Sequence, residues 1–92
     1  MSATESLVQA ALAEFDIPPE RFHGHQFLGD DEVEARACVC WALRQLGMTL
    51  QAIAWELKYH DYQRPSVLIR RVESTPRLLR RAKRMIGEGT CQ

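Results

Sequence analysis

His23, His25 and His60 are the residues of this chain best suited to hold a transition metal, and His60-Asp61 has the make-up of a general base with its orienting carboxylate. Neither set is complete. The first two histidines lie in an aperiodic stretch far in sequence from the third, and no serine or suitably placed cysteine accompanies His60-Asp61 as a nucleophile. Cys38 and Cys40 are two positions apart, which on a helix turns them about 200° away from each other, so they can share neither a metal nor a low-strain disulfide. With Cys91 they make three cysteines and no Cys-x-x-Cys, the usage of packing thiols rather than of a disulfide framework. Asp30, Asp31, Glu32 and Glu34 have the charge to collect a cation, but acids at a helix start are accounted for by capping and the helix dipole. We therefore expect no catalytic residue, no metal site, no cofactor and no enzyme.

The chemistry that remains belongs to arginine. The chain has no net charge, yet residues 1–57 carry nine acids against three bases and residues 58–84 carry nine bases against two acids. A basic half of this kind suits a polyanionic partner. Arg77, Arg80, Arg81 and Arg84 recur at i, i+3, i+4 and i+7 and form one stripe on a helix, with Leu78, Leu79, Ala82, Met85 and Ile86 on the other side. Guanidinium groups grip phosphate oxygens bidentately, which gives such a stripe a use. The alternative is that the two halves neutralise each other inside the fold.

The elements that must position these arginines are legible from periodicity. Ser2-x-x-Glu5 has capping-box spacing before Leu7, Val8, Ala11, Leu12 and Phe15, and that helix stops at Asp16-Ile17-Pro18-Pro19. Pro19 to Phe22 has room for one further turn, and His23 to Gly29 reads as a loop. Asp30 and Asp31 open a long helix through Ala35, Ala37, Val39, Ala42, Leu43 and Leu46, with Gly47 as its stop. Thr49 caps a short helix from Leu50 to Leu57, with Ala52, Ile53 and Leu57 inward. Lys58 to Gln63 is a polar, aromatic turn. Pro65 suits the first position of the next helix, about Arg64 to Ser74, which turns Leu68, Ile69 and Val72 inward. Thr75-Pro76 starts the last helix and Gly87 ends it. Trp41 and Trp55 are expected in the core or between helices, an exposed one marking a partner surface. Tyr59 and Tyr62 either stack on a ligand or shield the turn.

No segment alternates like a strand, so the fold class is all-α: a compact bundle of about five helices containing a helix-turn-helix. Residues 1–87 make one domain and 88–92 a flexible tail. In this arrangement the first short helix braces the second, and the second has the dimensions to enter a major groove. Ser66, Arg70 and Glu73 share one outward face of it, Arg64 and Arg71 lie on a further polar flank, and Val67 falls on the boundary.

Four pieces of sequence, in order, bear on a known family. They are Val8-x-x-Ala11 to Phe15-x-Ile17-x-Pro19, then Ala35-Arg36 with Ala42-Leu43-Arg44-x-Leu46. After them come Thr49-Leu50-x-x-Ile53-Ala54-x-x-Leu57 and Ser66-Val67-Leu68. The stretch from Leu7 to Glu73 resembles the C-terminal DNA-binding domain of the bacterial chromosomal replication initiator DnaA, in the Trp-repressor-like group of helix-turn-helix folds. The resemblance implies that Arg36 and Arg44 contact the DNA backbone, that Thr49 and Gln51 meet phosphates, and that Arg64, Pro65 and Ser66 stand where the family reads bases. The chain departs from that family in three places. Gln63-Arg64 replaces its Asp-His, the turn before them is about three residues longer, and the loop before the long helix is acidic where the family's is basic. There is also no Gly-x-x-x-x-Gly-Lys phosphate loop.

The expected partner is double-stranded DNA. Lys58, Arg70 and Arg71 join Arg36, Arg44, Thr49, Gln51, Arg64, Pro65 and Ser66 at the interface, and Arg77, Arg80, Arg81 and Arg84 supply phosphate contacts. The expected role is that of a regulator or an accessory replication or packaging factor without ATPase activity. Met1 to Gln9 lacks the pattern of a secretion signal and no uncharged apolar run is long enough to span a membrane, so a cytoplasmic protein is expected. The rival class is a protein-interaction module that keeps the scaffold but docks on a protein, such as a partner nucleic-acid enzyme; the acidic first half motivates it.

Overall fold

Seven residues in the middle of one helix explain the architecture. Ala35, Ala37, Cys38, Val39, Cys40, Ala42 and Leu43 are all fully buried, and at about 100° per residue they point in every direction. A helix that is apolar all round must be enclosed. The computed structural model, which describes residues 3–18 and 30–90, shows how. Helix α1 is Ala3–Phe15, α2 Asp30–Gln45, α3 Leu50–Glu56, α4 Gln63–Ser74 and α5 Pro76–Thr90. The central α2 packs against the other four, α5 also packs on α1 and α4, and α3 on α4. Small residues along α2 allow this close approach on several sides at once. The described residues form an all-α bundle of these five helices with no strand among them.

Each outer helix contributes one stripe to the core. Leu7, Val8, Ala11, Leu12 and Phe15 are the buried side of α1, Leu68, Ile69 and Val72 of α4, and Leu78, Ala82 and Met85 of α5. Ile53 and Ala54 anchor the short α3, with Ala52 and Leu57 half-buried beside them. Both thiols of α2 pack in this core, and the Cys38 Sγ donates toward the Leu78 carbonyl at 3.8 Å.

The first three helices end by the same device. Asp16, Gly47 and Lys58 each adopt a left-handed backbone, with φ of 55°, 96° and 62°. In each case the next N–H reaches back five residues: Ile17 to Leu12 at 3.0 Å, Met48 to Leu43 at 3.2 Å and Tyr59 to Ala54 at 2.8 Å. This is the Schellman arrangement, which satisfies the carbonyls left over at a helix C-terminus. Glycine was expected at Gly47, and Asp16 is of a type that tolerates the left-handed region, whereas Lys58 carries no residue-type signal for it.

Several boundaries differ from the periodicity. Helix α4 starts at Gln63, so Pro65 stands in its first turn rather than at its first position. Its starting signal is Asp61, whose Oδ1 accepts from the backbone N–H of Gln63 at 2.8 Å and of Arg64 at 3.4 Å. Gly87 does not end α5, which continues to Thr90 and so includes residues assigned to a tail. Gly87 meets nothing and lies within the helix, where a single glycine costs about 1 kcal/mol without breaking it. Ser2, the turn proposed at Pro19 to Phe22, and His23 to Gly29 lie outside the described residues.

Candidate nucleic-acid interface

The functional question centres on α4 and the six-residue turn before it. Pro65, Leu68, Ile69 and Val72 form the buried side of α4. The row opposite them is Gln63, Val67, Arg70 and Ser74, all exposed. Sequence periodicity located Arg70 there, left Val67 unassigned and missed Gln63. Arg64 and Arg71 occupy one exposed flank; Glu73 is exposed on the other, beside a half-buried Ser66. Ser74 turns its hydroxyl back to the Arg70 carbonyl at 2.9 Å. Pro65 was expected among the contact residues, but it is fully buried. Its ring packs the start of α4 onto the core and has no surface to offer a ligand.

The remaining expected contacts divide by what holds them. Thr49 is the N-cap of α3, its Oγ1 accepting from the Ala52 N–H at 3.1 Å. Gln51 is exposed on the first turn of α3. Arg44 directs Nη1 to the Met48 carbonyl at 2.8 Å, which caps the C-terminal end of α2. Arg36 is half-buried and stands near the Tyr59 phenol. Burial pushes the Tyr59 phenol above its ordinary range, and Arg36 opposes that shift. Lys58 is exposed at the left-handed turn position.

The arginine stripe of α5 is not opposite the core but beside it. Arg81 is three residues from Leu78, about 60° round the helix, and its guanidinium lies over the Phe15 ring at 4.7 Å from the centroid, within cation–π range. Its Nε is 3.9 Å from Glu14, and Arg84 donates to the same carboxylate at 2.7 Å. Arg77 donates to both oxygens of Glu34, at 3.1 and 3.4 Å, and Arg71 stands 3.8 Å from it. Three of the four stripe arginines therefore bridge to α1 and α2. Glu34, expected as a helix-start acid, is a buried clamp for two arginines instead. The Glu34 carboxylate raises the Arg77 pKa above its already high value, chiefly through their hydrogen bonds.

What remains is a shorter set of cations. Among the described residues, the charged groups of Lys58, Arg64, Arg70, Arg80 and Lys83 have no carboxylate within 4.0 Å, and these residues are exposed. Two of these, Arg64 and Arg70, stand on α4. Exposed apolar side chains share this part of the molecule. Trp55 on α3 is 82% exposed, contrary to a core position, and Val67 on α4 is 58% exposed, whereas Trp41 is buried. Among the described residues no group of three His, Cys, Asp or Glu side chains is placed to hold a metal, and no helix is long and apolar enough to cross a membrane.

No protein-family model matches the chain, and neither a curated protein nor a solved structure matches it. Its functional reading rests on the chemistry of this surface.

Proposed function

We propose that the chain binds duplex DNA, with α3, the turn and α4 acting as a helix-turn-helix and α4 entering the major groove. One observation carries the reading: Arg64 and Arg70 stand exposed, their guanidinium groups without a carboxylate partner among the described residues, on a helix whose other side is anchored in the core. Such a helix offers rigid guanidinium groups to base edges, and bidentate contact from arginine favours guanine. Gln63 beside them suits adenine, and Val67 a thymine methyl group. Lys58, Arg80 and Lys83 supply phosphate contacts, which set register and affinity rather than sequence. The resemblance of Leu7 to Glu73 to the DnaA DNA-binding domain supports the same role, that of a regulator or accessory replication or packaging factor without an ATPase. A cytoplasmic setting goes with it, since Cys38 and Cys40 are free thiols.

Fluorescence anisotropy of a labelled random duplex, titrated across salt, tests the proposal. Binding should weaken with salt, with a slope near 0.9 per phosphate contacted, and Arg70→Glu should abolish it at moderate salt. Absence of binding at low salt overturns the assignment.

A second reading, docking on a protein, is favoured by the exposure of Trp55 and Val67 on the two helices that would face DNA. An exposed tryptophan is a common anchor of protein interfaces. On that reading Trp55→Ala removes partner binding, whereas Arg70→Ala has little effect.

A further inference from the structure

A cleft of about 410 Å³ opens where α2, the turn and the start of α4 meet. Its apolar walls are Val33, Leu57 and Leu68, with Tyr59 beside them, and its charged lining is Arg36, Lys58 and Arg64, with His60 and Asp61. The volume lies within the roughly 300–1,000 Å³ of sites that take small molecules, and apolar walls with a few convergent polar groups are their usual make-up. We propose that this cleft binds a small phosphate monoester carrying an apolar body.

Charge selects the phosphate. Among the described residues, two exposed cations of the lining, Lys58 and Arg64, have no carboxylate near their charged groups, and the carboxylate beside them is occupied: Asp61 accepts from the Gln63 and Arg64 N–H groups. A dianionic phosphate balances this lining better than a monocarboxylate, and arginine matches its oxygens bidentately. The apolar walls select the rest of the ligand, because inorganic phosphate leaves Val33, Leu57 and Leu68 uncovered. Arg36 lines the same wall, beside the Tyr59 phenol. Lys58 reaches the cleft from the left-handed turn that closes α3. The site is independent of the DNA reading, although Lys58 and Arg64 belong to both surfaces, so an occupied cleft would compete with a duplex for them.

Phenyl phosphate is the probe, with inorganic phosphate and phenol as its two halves, titrated into the full chain without DNA and followed by amide chemical shifts. Phenyl phosphate should shift the signals of Val33, Arg36 and Leu57 to Arg64 saturably. Affinity should fall about tenfold in Arg64→Gln, the loss of one charge-assisted contact, and further in the Lys58→Gly, Arg64→Gln double variant. Both positions are exposed, so the fold is retained. Equal responses to inorganic phosphate or phenol, unchanged affinity in the double variant, or no saturable shift would each overturn the proposal. DNA binding is read separately, so failure of one assignment leaves the other intact.

Discussion

Arg77 grips both oxygens of the Glu34 carboxylate, at 3.1 and 3.4 Å, and ties the first turn of α5 to a position 43 residues earlier on α2. Glu34 is buried and Arg77 is not, so the pair is a surface cation covering an interior acid. Breaking it by removing the arginine would leave a buried charge with only Arg71 nearby, whereas neutralising the acid releases two cations.

Glu34→Gln is therefore expected to move stability and DNA binding in opposite directions. The urea midpoint should fall without a change in slope, because the clamp is lost while the fold persists. Affinity for duplex DNA should rise, and its salt dependence should steepen by up to two contacts at about 0.9 each, as Arg71 and Arg77 become available. A parallel fall in affinity would show that these arginines serve only the fold.

Arg70 and Lys83 should separate base reading from phosphate contact. Arg70→Ala should cost about 1–3 kcal/mol on the preferred sequence and flatten discrimination at one base pair. Lys83→Ala should weaken all sequences equally and lower the salt slope by about 0.9. Selection from a random duplex pool with each variant checks both, and an unaltered consensus for Arg70→Ala would remove α4 from the groove.

The fold was largely legible in the sequence because its signals are local. The i, i+3, i+4 spacing of Leu7, Val8, Ala11, Leu12 and Phe15 and the cap at Thr49 depend on neighbours only, and both appear as expected. The site was less so. Nothing near Glu34 in sequence indicates that Arg71 and Arg77 will reach it, since that encounter is set by how α2, α4 and α5 cross. The α5 stripe has the same periodicity whether it faces solvent or Glu14, so spacing could not distinguish a phosphate ladder from an internal clasp. Asp61 was legible in principle: an Asx cap two residues before a helix start is a local signal, obscured here by its place beside His60.

The two core thiols predict an alkaline limit to stability. Burial raises Cys38 and Cys40 from about 9 to about 12, with Glu34 adding to the shift at Cys38. The unfolded chain thus loses these protons first, and ionisation favours unfolding from pH 9 upward. Each thiol should lower stability by up to about 1.4 kcal/mol per pH unit between pH 9 and 12, with no effect below 9. The half-buried Tyr59 phenol acts in the same direction above pH 10. Urea unfolding at pH 8 and 10 measures the loss, and Cys40→Ala should reduce its pH slope even though it lowers the starting stability.

Lys58→Gly should stabilise the chain while weakening its hold on anions. At φ 62° the lysine backbone lies where a Cβ is unfavourable, and glycine relieves that cost. Glycine also enlarges the freedom of the unfolded chain, so the net gain should be small, of order 0.5 kcal/mol. Gly47→Ala is the converse: φ 96° is unfavourable for alanine although no atom lies within 4 Å of the added Cβ, so about 1 kcal/mol should be lost through the backbone alone. The comparison tests whether Lys58 is kept for its charge. A Lys58→Gly chain that unfolds at higher urea yet needs lower salt to bind DNA assigns the residue to the anion-facing surface, whereas a less stable chain would mean that the lysine side chain supports the turn itself.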